Sequence, residues 1–333
     1  MGGSKGKIRD SVNRKADSNK KMGPHRAAPD YYREVVMSKL GKKRKQFIFA
    51  ALVVPMLLLI AFVVFPAIDL FRMSFTNWDG YSPEKDFIGM ANYVSMFQNK
   101  DLWMSLKNNA VYFFIHLFMI VVELAFAVLL TGKLKAAKFY KTMVFMPYII
   151  NGVAISYAFS YFFSPINGAF DAILSAVHLE SLIRSWLSDP KIVNYVLAFV
   201  SLWRFSGYHI ILFMAALQSI PQDQLEAAEV DGATTWQLFK YIQVPAIMLM
   251  VDFVLFDNIR GALQVFDIPF VMTAGGPGYA SSTFTLYTIK TAFTFSNFGL
   301  ASTMAVAIMF MIVLIYVVQN YLIHGLVLKD RRK

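Results

Sequence analysis

The sequence predicts an all-α polytopic membrane protein of six transmembrane helices with both termini in the cytoplasm, and three observations carry that expectation. Of 333 residues, 57% are hydrophobic and only 16% charged, with a mean hydropathy of +0.49; soluble domains usually carry about 25% charged residues. Six apolar stretches lie near residues 47–71, 110–131, 142–163, 193–217, 245–270 and 301–323, and a helix needs about 20 such residues to cross a bilayer. Lys and Arg then alternate between sides: "GKKRKQ", "TGKLKAAKFYK" and "LKDRRK" fall on one side of a six-span chain, while residues 72–109, 164–192 and 271–300 mix both charges or carry little of either. Basic loops stay in the cytoplasm.

The formal charge of +11 does not point to nucleic acid, because residues 1–45 hold 14 Lys or Arg against four acids and the rest is almost neutral. Residues 1–46 read as a basic cytoplasmic tail, disordered or lying on anionic lipid, where each cation contributes about 1 kcal/mol; a topogenic signal explains the same charge. The membrane domain is expected over 47–325, and 326–333 forms a basic cytoplasmic end. Some 46 polar residues precede the first apolar stretch, so no secretory signal is expected at the start. Gly6 stands where a myristoylation pattern needs Ser or Thr. With no cysteine, disulfides and thiolate metal sites are excluded.

Before the second span, "FIGMANYVSMFQNKDLWMSLKNNAVYFF" has near-helical apolar spacing and predicts a short interfacial helix. "TAGGPGYASSTFT" is rich in turn formers and lacks the Lys-Ser or Lys-Thr of a phosphate loop. One inward loop breaks the charge rule. Residues 218–244 hold Asp223, Glu226, Glu229 and Asp231 against Lys240 alone.

That loop has a readable shape. Pro221 suits a helix start, Asp223 and Glu226 favour its N-terminal half, and Gly232 suits the left-handed residue that closes it. Thr234 and Gln237 have capping-box spacing for the next helix. Ala227, Ala228 and Ala233 leave little bulk beside the turn, so a partner surface could approach the backbone. Glu226, Glu229 and Asp231 would accept its Arg or Lys, and Trp236 and Phe239 would add an apolar face. An amphipathic surface loop with an ordinary capped turn fits the same residues.

"EAAEVDGATTWQLFKYIQVP" closely resembles the EAA signature of binding-protein-dependent ABC importer permeases, through Glu226, Ala227, Ala228, Asp231, Gly232, Ala233, Phe239, Ile242 and Pro245. Leu249 stands where a second proline usually follows, which bears on the bend at the start of the fifth span. "FYKTMVFMPYIINGVAISYAF", "LFMAALQSIPQDQLEAAEVDGA", "FDIPFVMTAGGPG" and the Gln319 ending resemble the carbohydrate-uptake branch. The resemblance implies a type I importer permease fold in a bacterial cytoplasmic membrane, with the acidic loop as a coupling helix seated in an ATPase cleft. It implies a second permease, two ATP-binding cassette subunits and an external solute-binding protein as partners. The chain has no Walker-type loop, so no cofactor is expected on it, and ATP and Mg belong to the ATPase subunits.

For the sugar path the resemblance implies positions on the third, fourth and fifth spans. These are Tyr148 in "MPYIING", Ser201 and Arg204 in "SLWRFSG", and Asn258, Gly261 and Val265 on the fifth; Asn151, in the same stretch as Tyr148, and Gln264, on one stripe with Asp257 and Arg260, are further path candidates from the sequence. Tyr148 keeps the residue of the maltose-type permeases; the others differ in type. Intramembrane ionisable groups are costly and mark function or pairing. On that ground His116 and Glu123, at i and i+7, could line a path but are expected to pair with one another, and Asp257 with Arg260. Arg204 and Arg260 would also suit an anionic sugar or a sugar phosphate, although pairing or an interfacial position explains both. A secondary transporter or channel would need paired broken helices or an inverted repeat, and no repeat is evident. A membrane enzyme would need a catalytic constellation, and no HExxH, Cys-His or paired-carboxylate arrangement is present.

Overall fold

A computed structural model describes residues 30–132 and 136–330. All its regular elements are helices. Two compact units divide at Ala67. In the first, α1 runs Asp30–Leu59 with Pro55 inside it and continues through a π turn, Ile60–Val64. The helix thus reaches back well before the boundary expected at residue 46. Between Asp30 and Gln46 no proline interrupts a run rich in Lys and Arg, both good helix formers, and residues 30–46 are helical. The remainder of the expected tail, residues 1–29, lies outside the described residues, as do 331–333.

The later elements are α2 (Phe65–Met73), α3 (Ala91–Gln98), α4 (Lys100–Thr131), α5 (Ala137–Ile149), α6 (Gly152–Phe162), α7 (Ala169–Ala176), α8 (Val193–Gln218), α9 (Gln222–Val230), α10 (Thr235–Leu238), α11 (Val244–Ala246), α12 (Met248–Gln264), α13 (Asp267–Thr273), α14 (Phe284–Phe293) and α15 (Phe298–Asp330). Among the described residues, four continuous helical stretches are long and apolar enough to span a membrane: Gln46–Met73, Lys100–Thr131, Val193–Gln218 and Phe298–Ile323. The expected third and fifth spans are instead bent pairs. Ala137–Ile149 meets Gly152–Phe162 at 96°, and Thr235–Ala246 meets Met248–Thr273 at 70°.

Both breaks have local causes. Pro147 lies in the last turn of α5, Ile150 is extended, and Asn151 restarts the chain as the N-cap of α6, its side chain accepting from the Val153 amide at 2.9 Å. Hydropathy runs unbroken across this bend. At the second break Ile247 leaves helical geometry (φ −96°, ψ 10°) just after a π turn, Phe239–Gln243, and Pro245. The bend therefore forms with Leu249 in place of a second proline.

The helix α8 is central to the second unit. Half of its apolar stretch is buried, against 28% for α4 and α15. Toward its start, Val193, Leu197 and Val200 pack with Tyr112, Ile155 and Ile268; toward its end, Phe213 and Leu217 pack with Ile120, Ala127, Ile247 and Val254. Gly207 lets α5 cross α8 with backbone against backbone, because a Cβ there would land on the Val144 carbonyl. A third cluster joins Met96 and Leu102 to Phe284, Tyr287 and Met304. The predicted interfacial helix is α3, separated from the second span by Asn99, which caps α4 by accepting from the Leu102 amide at 3.0 Å.

Polar clamps hold the turn-rich segment after α13. Asn108 donates to the Ser282 carbonyl at 2.8 Å, Asn194 to that of Ala280 at 2.6 Å, and Asn109 accepts from the Phe284 amide at 2.8 Å. At the other end of the bundle Gln319 donates to Asp252 Oδ1 at 2.6 Å and so ties α15 to α12.

Candidate functional site

The acidic loop folds by local chemistry. The first helix, α9, closes with a double bond pattern: the Ala233 amide donates to the Ala228 carbonyl at 2.9 Å and the Gly232 amide to that of Glu229 at 3.0 Å. This is a Schellman closure, and Gly232 supplies the positive φ it requires, +85°. The next helix starts with a complete capping box. The Gln237 amide donates to Thr234 Oγ1 at 3.3 Å, and the Thr234 amide donates to Gln237 Oε1 at 2.7 Å. A hollow of about 320 Å³ lies at the turn, between Asp231, Gly232, Ala233, Gln237, Tyr241 and Ile242.

Glu226, Ala227, Glu229 and Asp231 are exposed along this element; Ala228, Ala233 and Phe239 are half-buried. Val230 is 88% exposed and Trp236 67%. Large apolar groups left in water beside three carboxylates mark a surface that a partner can cover. Trp236 and Phe239 lie together, centroids 5.5 Å apart.

A second site lies between α4, α8 and α12. There a cavity of about 410 Å³ is lined by Tyr112, His116, Ser201, Arg204, Phe205, His209, Asp257, Asn258, Arg260, Gly261, Ala262, Gln264, Val265, Phe266 and Asp267. Ligand sites run from about 300 to 1,000 Å³. Of the eight path residues named from the sequence, Ser201, Arg204, Asn258, Gly261, Gln264 and Val265 line it. Tyr148 and Asn151 do not. Tyr148 stacks on Tyr208, centroids 4.6 Å apart, and Asn151 is occupied as the α6 cap.

The cavity wall carries charge in pairs. Arg204, on α8, pairs with Asp267 at the head of α13, and its guanidinium rests over Phe205 at 4.8 Å. Arg260 pairs with Asp257 at 2.6 Å, as its i, i+3 spacing predicts, and also donates to Gln264 at 3.3 Å. The expected His116–Glu123 pair does not form. Seven residues separate them by about 10.5 Å along the axis, beyond hydrogen-bond reach, so each turns to α8. His116 Nε2 meets Ser201 Oγ at 3.1 Å, and Glu123 Oε2 meets His209 Nδ1 at 3.2 Å. His209 Nε2 in turn lies 3.6 Å from Asp257 Oδ2, making one chain of groups across three helices.

Sequence reasoning passed over His209, Asp267 and Tyr112. His209 carried a usable signal, being an ionisable residue inside an apolar run, as His116 is. Asp267 sits where hydropathy ends, and Tyr112 is one of many aromatics, so neither stood out. Among the described residues, Tyr112 Oη, Asn258 Nδ2 and Arg204 Nε, buried just behind this wall, have no hydrogen-bond partner, and His209 Nε2 has only the 3.6 Å approach of Asp257. Tyr112, His209 and Asn258 are at most 5% exposed. Buried polar groups are almost always satisfied, so this cavity is furnished for a polar occupant.

No family model matches the chain. Among relatives, "Probable ABC transporter permease protein YurN" of Bacillus subtilis (strain 168) is 35% identical over 259 residues, covering 77% of this chain and 89% of that protein. "Probable starch degradation products transport system permease protein AmyD" of Thermoanaerobacterium thermosulfurigenes is 32% identical, covering 86% and 97%. Among solved structures, a bacterial ABC transporter involved in the import of the acidic polysaccharide alginate has a chain of the same fold. Its TM-score is 0.74 at 22% identity, over 86% of this chain and 99% of that one. Nearly full-length likeness to such relatives, together with the EAA loop, leads to one conclusion: the chain belongs to the ABC importer permeases of the carbohydrate-uptake branch.

Proposed function

We propose that this chain is one of two permease subunits of an ATP-driven, binding-protein-dependent importer and forms half of the translocation path for a di- or oligosaccharide. It crosses a bacterial cytoplasmic membrane six times, counting each bent pair as one span, with both termini inside. Its mates are a second homologous permease, two ATP-binding cassette subunits and an extracellular solute-binding protein. Hydrolysis, with its ATP and Mg, belongs to the cassette subunits; this chain is no enzyme.

The observation that carries the sugar path is the cavity itself, where six of the anticipated residues converge and buried hydroxyl, amide and guanidinium groups without a partner lie just behind the wall. Sugar hydroxyls both donate and accept, which suits such a wall. The loop 218–244 is the coupling element, with Glu226, Glu229 and Asp231 offered to basic groups of an ATPase cleft and Trp236 and Phe239 to its apolar floor. Closure of the ATPase pair would then tilt the permeases from inward- to outward-facing as rigid bodies.

Reconstitution of the complex in proteoliposomes tests this reading. Glu226→Lys should abolish ATPase activity stimulated by the loaded binding protein while leaving membrane insertion intact. Unchanged coupled hydrolysis would remove the docking role. The two broken spans also suit an ion-driven secondary transporter. Uptake by the purified chain alone, driven only by an ion gradient, would favour that alternative over ours.

A further inference from the structure

Every fixed charge on the cavity wall is already neutralised within the chain. Two guanidinium groups line it, Arg204 and Arg260, and two carboxylates, Asp267 and Asp257, each bonded to one of them. Glu123, behind the wall, is paired with His209. An entering anion would therefore meet no unpaired cation to replace its lost hydration, and it would face two fixed carboxylates at close quarters. An uncharged polyol meets the opposite situation. Arg204 Nε, Asn258 Nδ2 and Tyr112 Oη, buried just behind the wall, have no hydrogen-bond partner among the described residues, and the paired carboxylates still have lone pairs to accept from hydroxyls.

We propose that Asp267 and Asp257 are built-in counterions that set this cavity for uncharged sugars and reject uronates and sugar phosphates. The proposal rests on reading the cavity as the sugar path. It makes charge selectivity a property of the permease as well as of whatever protein delivers the sugar. The fold alone does not impose such selectivity, since the alginate transporter of the same fold is involved in importing an acidic polysaccharide. The arginines are not the selective element here. Deleting a carboxylate, with its arginine kept, should convert the wall into an anion site.

Binding of cellobiose and of cellobiouronate, which share a ring skeleton and differ by one carboxylate, can be followed by saturation-transfer NMR on the whole complex in nanodiscs. Wild type should bind cellobiose and favour it at least tenfold. Asp267→Asn should raise cellobiouronate affinity at least tenfold relative to cellobiose, and Arg204→Gln added to it should cancel the gain. Asp257→Asn should produce the same shift through Arg260, which is 46% exposed and tolerates loss of its partner better should Asp267→Asn fail to assemble. An unchanged preference in assembled single variants, or a gain that persists without the arginine, overturns the counterion role. Gly261→Trp separates this from the broader reading. If it leaves the cellobiose signal intact, or wild type gives none, the cavity is not the path. If it abolishes the signal while the carboxylate variants keep wild-type preference, only the counterion role is lost.

Discussion

Gly232 offers a graded test of whether the shape of the acidic loop matters to coupling. Its φ of +85° is one that side chains with a Cβ rarely adopt, yet a Cβ there would meet nothing within 4 Å. Substitution therefore costs backbone strain without collision. For alanine the left-handed conformation costs about 1–2 kcal/mol, which lowers the closed turn relative to open ones by roughly 5–30-fold. Asparagine visits that region more readily and should lose less; valine, branched at Cβ, should lose more. Proline cannot adopt the angle and also deletes the amide bonded to the Glu229 carbonyl. Initial rates of ATP hydrolysis by the reconstituted complex, stimulated by loaded binding protein, should fall in the order Gly, Asn, Ala, Val, with proline inactive. Equal amounts of assembled complex across the series would assign the loss to the turn. A valine variant as active as wild type would refute the idea that a closed turn transmits the ATPase stroke.

His209→Ala strands Glu123, which is 1% exposed, and loss of one partner of a buried pair costs about 3–5 kcal/mol; the Tm in detergent should drop, and Glu123→Leu added to His209→Leu should recover most of it. Gly207→Val should push α5 off α8 by collision with the Val144 carbonyl and reduce the yield of folded protein, whereas Gly261→Trp, where a Cβ meets nothing within 4 Å, should assemble normally and lose uptake. In the loop after the first span, hydrogen bonds from the Ser82 amide and hydroxyl and the Tyr81 amide hold the Asp79 carboxyl down to about 2. Its stabilisation of that turn is complete above the unfolded value near 3.8 and fades as pH falls toward 2, so Ser82 amide protection measured by hydrogen exchange should survive to about pH 4, fade below it, and lose that acid dependence in Asp79→Asn.

Hydropathy located every described helical stretch that is long and apolar enough to cross a membrane, and both bent pairs, because burial in lipid demands long apolar runs whatever the tertiary fold. It could not reveal the 96° bend at Ile150 and Asn151, since the residues on both sides are equally apolar; the cue was chemical, a proline followed by an Asn-Gly cap, and it was available in "MPYIING". The acidic loop was legible nearly bond by bond because caps and glycine closures act within a few residues. The cavity was legible by position but not by pairing. Arg204–Asp267 and Glu123–His209 join residues 63 and 86 apart in the chain, and only helix packing brings such groups together. The intrahelical Asp257–Arg260 pair, set by spacing alone, was foreseen.

The bonds that shape the acidic loop all run between its own residues, so its geometry exists before any partner arrives. In the proposed assembly the entropy of ordering that element is therefore spent during folding rather than during docking, and the free energy of contact goes into holding the two proteins together. Such an element also yields little under load. A connector between a nucleotide-driven motor and a membrane gate loses whatever displacement it absorbs by bending, and a helix pair locked at both ends of its turn keeps that compliance small.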